Sequence, residues 1–191
     1  MSELEYLSAE LASGDDERAE IAAKRLSHLG EQALGIINQL LSDPDPETRW
    51  WAVRSLAEMS SNSFSQLLIK ALNDKDLSVR QCAALALQHQ PDSDSVPALI
   101  ACMHDRDSLL IRLSANALVA IGPPAVPALL KLLDDRTSPI RYEAIRALAL
   151  IGDERAIPAL FHSFGEDSAL MEYWADQGLD RMGIGMAFFK P

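Results

Sequence analysis

A leucine returns along this chain every 30 or 31 residues, at Leu26, Leu56, Leu87, Leu118, Leu148 and Leu179. Four positions before each stands a small residue: Ala22, Ala52, Ala83, Ser114, Ala144 and Ala175. Four positions after each comes a turn residue: Gly30, Ser60, Pro91, Gly122, Gly152 and Gly183. A fourth column, Ser13, Asp43, Asp74, Asp105, Asp135 and Glu166, closes each unit. Four columns in phase mark a true internal repeat.

Residues 136–166 show the unit best. Ile140, Ala144, Ala147, Leu148 and Ile151 precede the turn at Gly152, and Ile157, Leu160, Phe161 and Phe164 follow it. Both sets have the spacing of an amphipathic helix. The small residue lets two helix backbones approach, and the leucine fills the space beside it. Glycine supplies the positive φ that ends a helix. The acidic closing residue offers an N-cap or first-turn charge to the next helix. Pro97, Pro127 and Pro158 fit the first turn of a second helix, where a missing N–H costs nothing.

Each hairpin has an apolar face that it cannot bury alone, so hairpins must stack. The fold expected is all-α: a solenoid of stacked antiparallel helix pairs with about twelve helices. It is read as a single domain over 1–191, with a capping helix in 1–13, five full repeats in 14–166 and a truncated repeat in 167–191. In the cap, Leu4, Leu7 and Leu11 take buried slots, and Glu3, Glu5 and Glu10 face water. The last first helix is expected to reach about Met182.

Composition agrees. Of the residues 48 % are apolar but only 6 % aromatic, and no run of alternating β-branched residues stands out. The formal net charge of -11 argues against nucleic acid and anionic membrane as ligands. The longest apolar run, 96–103, is far short of the ~20 residues that span a bilayer. The acidic start is unlike a signal peptide, so a cytoplasmic location is expected. Cys82 and Cys102 fall in packing columns and read as buried free thiols.

The unit resembles the short HEAT repeats of bacteria and archaea, the class named after phycobilisome lyases. Their pattern appears as Val79-Arg80, Ala83 and Leu87; as Ile121-Gly122 and Val126-Pro127-Ala128-Leu129; and as Ile140-Arg141, Ala144, Ala147-Leu148, Ile151-Gly152 and Ile157-Pro158-Ala159-Leu160. Tetratricopeptide and ankyrin signatures are missing. The resemblance implies a right-handed superhelix. It also implies that the column Ala19, Arg49, Arg80, Ile111, Arg141 and Glu172 carries arginines that meet acidic turn residues, with Arg18 and Arg112 as neighbours where the column breaks.

No chemistry stands out. His28, His89, His104 and His162 form no metal-binding spacing; with helices packed ~8–10 Å apart, His28 and His89 fall about 20 Å apart. The His-Glu pair of the iron-binding deoxyhypusine hydroxylases, which resemble this class, does not occur. No nucleophile elbow, P-loop or dinucleotide fingerprint is present. Neither catalytic residues nor a cofactor are therefore assigned.

What remains is surface. The second helices, which line the concave side in such repeats, present Gln39, Lys70, Lys131 and His162. Only Lys70 and Lys131 are basic there, unlike the groove of a DNA-cradling HEAT glycosylase. The outward column of the first helices carries Trp50, Arg112, Tyr142 and Tyr173, residue types that anchor interfaces. Trp50 and Trp51 cannot both bury their rings on one helix face. Phe188 and Phe189 belong to an apolar tail that either folds back over the last unit or offers a docking or self-association surface.

The reading is a non-catalytic scaffold or adaptor that binds another protein. The alternative, implied by the resemblance, is a lyase-type or chaperone-type subunit acting on a tetrapyrrole-bearing protein, with a second HEAT partner.

Overall fold

A computed structural model describes residues 2–59, 64–135, 138–163 and 168–184. The described residues are helical, with no strand among them. The chain divides into two compact units, 1–98 and 99–191, and the division falls within one helix.

The N-terminal unit opens with α1 (Glu3–Leu11), α2 (Asp16–Leu29), α3 (Leu34–Leu40) and α4 (Pro46–Ala57). It continues with α5 (Ser65–Ala71) and α6 (Leu77–His89), and α7 (Val96–Cys102) crosses the division. The C-terminal unit holds α8 (Ser108–Ile121), α9 (Val126–Lys131), α10 (Ser138–Ile151), α11 (Ile157–His162) and α12 (Ala169–Arg181). Each unit is a stack of antiparallel helix pairs, as the repeat demands. First helices run 12 to 14 residues, second helices only six or seven. The turns Gly30–Ala33, Ser93–Ser95, Pro123–Ala125 and Glu154–Ala156 are 3-10 helices, and each tucks one small buried residue under the hairpin: Ala33, Ser95, Ala125 and Ala156.

The core is the pair of columns seen in the sequence. All six leucines and all six small residues are buried. In the N-terminal unit α2 packs on α4 and α4 on α6; in the C-terminal unit α8 packs on α10 and α10 on α12. Burying each leucine side chain stabilises by about 1.5–3 kcal/mol. At Gly178 the packing is closest, because a Cβ there would meet Ala149 Cα at 2.8 Å and Leu160 Cδ1 at 2.9 Å.

The helix starts correct one expectation. The closing residues Asp43, Asp74 and Asp105 are not N-caps. Each accepts a hydrogen bond from the amide two residues on, at 2.9, 2.8 and 3.0 Å, and so shapes the turn. The N-caps are the residues at those amides: Asp45 accepts from Thr48 N, Asp76 from Ser78 N and Asp107 from Leu110 N. Two short side chains with oxygens are needed because the chain must both turn and cap within three residues.

The hairpin turn works as expected at Gly30, Gly122, Gly152 and Gly183, all with positive φ. Gly14, between α1 and α2, also has positive φ, at 70°. The polar turn at 60–63 and the closing residue Glu166 lie outside the described residues.

In the cap, Ser2 and Glu5 form a reciprocal capping box, and Leu7 and Leu11 are buried. Leu4 is only half-buried. Glu10 does not stand free in water: Arg18 grips both its oxygens at 2.7 Å. Ile21, in the column of Cys82, is exposed rather than packed. It borders a hollow of about 240 Å3 with Tyr6, which α1 leaves beside α2.

Candidate interaction surfaces

On the second-helix side, Gln39, Lys70, Lys131 and His162 all project into water, as the periodicity requires. Lys70 reaches back to Asn38 Oδ1 at 3.2 Å and Ser42 Oγ at 3.3 Å, so the preceding repeat orients it.

Two grooves open at equivalent positions of this side, one in each unit. The N-terminal groove, about 410 Å3, is bordered by Leu41, Ser42, Arg49, Lys70 and Ala71. The C-terminal groove, about 450 Å3, is bordered by Leu133, Asp134, Arg141, His162 and Ser163, which stand three repeats further along. The arginine column supplies the guanidinium in both.

Arg49 is buried and donates to both oxygens of Asp74, at 2.7 and 2.9 Å, and to the carbonyls of Asp43 and Pro44. Burial would raise the Asp74 carboxyl. The Arg49 bonds and the Asp76 amide outweigh it and hold the carboxyl below the usual range. Arg80 donates to the carbonyls of Asp74 and Lys75, and Arg141 to that of Asp135. The arginine ladder implied by the resemblance therefore holds backbone carbonyls at all three arginines and, at Arg49, a carboxylate as well. The C-terminal groove adds apolar walls from Leu130, Ile145, Pro158 and Met171.

On the first-helix side the outward column is unevenly covered. Trp50 is half-buried, its ring edge-on to Trp51 at 4.9 Å, and it borders a hollow with Glu47 and Asp76. Tyr142 is also half-buried, and its hydroxyl accepts from Trp174 Nε1 at 3.1 Å. Tyr173 is exposed, edge-on to Trp174. Arg112 is exposed and meets Glu143 at 3.2 Å. Arg112 and Tyr142 share one groove between α8 and α10. Phe188 and Phe189 lie outside the described residues.

Sequence reasoning missed a buried polar cluster on the first-helix side. Glu143 and Arg146, both buried, bond at 2.6 Å, and Arg146 Nη2 donates to Asn116 Oδ1 at 2.6 Å. A signal was present: Glu143 is the one charged residue in the column of Ile21, Trp51, Cys82, Leu113 and Trp174, with Arg146 three residues on.

Both thiols are buried, and neither is in a disulfide. Burial raises the Cys82 thiol to about 11, against a smaller opposing pull from Arg54. Among the described residues no group of His, Cys, Asp and Glu could hold a metal ion, and no single helix is long and apolar enough to cross a membrane.

Short hairpins in register, an alanine–leucine core and a guanidinium at the repeat boundary define the class. The chain belongs to the HEAT-repeat family, whose model matches residues 4–76, 33–118 and 110–179. Its relatives point to one system. It is 29 % identical over 146 residues to the uncharacterized phycocyanin operon protein Z of Pseudanabaena tenuis, covering 70 % of this chain and 72 % of that one. It is 31 % identical over 115 residues to the phycobilisome maturation protein of Synechococcus elongatus, covering 60 % and 55 %. Over 78 residues it is 36 % identical to the phycocyanobilin lyase subunit beta of Nostoc sp., covering 41 % and 39 %. The chain thus spans about half or less of the length of the last two. Among solved structures, the complex of CpcE and CpcF of phycocyanin lyase from Nostoc sp. PCC7120 aligns with a TM-score of 0.60 at 21 % identity, over 75 % of this chain and 96 % of that one. That likeness is one of fold.

Proposed function

We propose that this chain is a protein-binding subunit, of lyase type or chaperone type, that acts on a tetrapyrrole-bearing protein. The observation that carries the reading is that three curated relatives are named for the phycocyanin operon, phycobilisome maturation and phycocyanobilin attachment. These relatives favour the tetrapyrrole-linked alternative over a general scaffold, while binding to another protein is common to both readings. The proposal keeps one continuous solenoid, a cytoplasmic location, and no nucleic acid or membrane as ligand.

The C-terminal second-helix groove has the chemistry for such a cargo. Its apolar walls would take a conjugated ring system, and Arg141 and His162 would meet acidic side groups. Neither thiol of this chain suits a covalent acceptor, since both are buried and Cys82 is held as a neutral thiol at pH 7. Any covalent linkage would therefore form on the partner.

The test is to titrate the purified chain into phycocyanobilin, with and without the apo form of a phycocyanin subunit, and to follow the visible spectrum. A saturable spectral shift, weakened by Arg141→Ala and His162→Ala, is expected. No shift, together with no calorimetric binding to apo or holo phycocyanin, would overturn the proposal.

A further inference from the structure

On the first helices of the C-terminal unit two neighbouring columns face outward. One reads Leu109, Pro139 and Leu170; the other, three residues on, reads Arg112, Tyr142 and Tyr173. The same columns in the N-terminal unit read Glu17, Glu47 and Ser78, then Glu20, Trp50 and Gln81. Leu109, Leu170 and Tyr173 are 52, 61 and 54 % exposed. Between α8 and α10 this face dips into a groove of about 390 Å3 bordered by Leu109, Arg112, Pro139 and Tyr142. Exposed apolar groups aligned on successive helices make a patch rather than scattered surface residues.

Charge is placed at the two flanks of the patch. On the α8 flank stands Arg112. Beneath it Glu143 of α10 is shared with the buried Arg146 of the same helix, so two guanidinium groups meet one carboxylate there. On the α12 flank, Asp176 and Asp180 follow Tyr173 by three and seven positions, on the same stripe of the helix. Asp180 is exposed and Asp176 half-buried. Because α10 packs between α8 and α12, cation and anions lie on opposite sides of an apolar middle.

We propose that this face binds a second copy of the chain, about a twofold axis that lies in the contact plane, parallel to α10 and between the two copies of that helix. A twofold contact uses the same patch on both copies, so a patch must complement itself. Here it does: the leucine and tyrosine middle of one copy meets that of the other, and each Arg112 stands opposite the other copy's Asp176 and Asp180. The net charge of -11 on each copy opposes association at long range. That repulsion is screened beyond about 8 Å at physiological ionic strength, while the apolar contact is not. The inference stands apart from the tetrapyrrole reading and holds or fails without it.

Sedimentation equilibrium of the full chain at about 150 mM salt, from about 1 to 100 μM, should show a reversible monomer–dimer equilibrium. The double substitution Leu170→Ser/Tyr173→Ser should raise the dissociation constant at least tenfold, with an unchanged thermal unfolding curve at a concentration where both proteins are monomeric, because both side chains are exposed in the single chain. The decisive readout uses two variants. Arg112→Asp and Asp176→Arg/Asp180→Arg should each associate more weakly alone, yet pair with one another when mixed, since both of their cross contacts are then complementary. A monomer at every concentration would overturn the inference. So would a dimer insensitive to Leu170→Ser/Tyr173→Ser, one abolished by removing 185–191 instead, or mixed variants that pair no better than either alone.

Discussion

The two units share one repeat and one core but place their charges differently. In the N-terminal unit the buried charge sits at the repeat boundary, where Arg49 ties two carbonyls and Asp74 together beside the second helices. In the C-terminal unit the arginine column is interrupted by Ile111 and Glu172, and a buried ion pair lies on the first-helix side, as Glu143 and Arg146. The outward columns follow suit: acidic at Glu17, Glu20 and Glu47, apolar at Leu109, Pro139 and Leu170. The leucine and alanine columns hold the helices in register, so charge is free to move between the two sides without loss of the fold. The side that carries it then differs between units in what it can bind.

The comparison can be broken by experiment. Leu87→Ala in the N-terminal unit and Leu148→Ala in the C-terminal unit should each cost about 2–5 kcal/mol in denaturant unfolding. A cost near zero at either site would mean that the core column is not shared. Breaking the buried pairs should cost roughly 3–5 kcal/mol, with Arg49→Ala above Arg146→Ala. The order follows because Glu143 keeps Arg112, whereas Asp74 keeps only the Asp76 amide among the bonds described for it. Equal costs would remove the distinction between the units.

Gly178→Ala should cost about 1–3 kcal/mol, since the new Cβ meets the backbone of α10. Ser114→Ala should act in the opposite sense. Ser114 Oγ is buried without a hydrogen-bond partner, and the other five residues of its column are alanine, so a gain of about 1 kcal/mol is expected. A loss at that site would mean the hydroxyl is bonded.

The smallest effect is set by pH. Asp74 is held below its ordinary pKa in the folded chain. Its contribution is therefore complete above the unfolded-state value of about 3.9 and fades as pH falls through the folded one. The stability gap between wild type and Arg49→Ala should narrow below about pH 4.

Much of the fold was legible because a repeat shows one packing solution six times. The columns of Leu26 and Ala22 located the core, and Gly30, Gly122, Gly152 and Gly183 located the turns. The caps were misplaced by two residues, because Asp43 and Asp45 are equally able to accept an amide and only the path of the chain decides which amide each meets. The exposed second-helix residues Gln39, Lys70, Lys131 and His162 were legible from periodicity alone. The coverage of Trp50 and Tyr142 was not, since it depends on the neighbouring helix. For Tyr142 that neighbour is α12, through Trp174.

Sequence by itself determined the hairpin, its period and the identity of its buried columns, because hydrophobic burial acts on patterns that are local along the chain. Tertiary structure alone decided that Arg49 finds Asp74 twenty-five residues on, that Asn116 completes the Glu143–Arg146 pair, and that two boundary grooves of different lining open three repeats apart. Those outcomes depend on which side chains of separate helices arrive within bonding distance, and spacing along one helix carries no information about that.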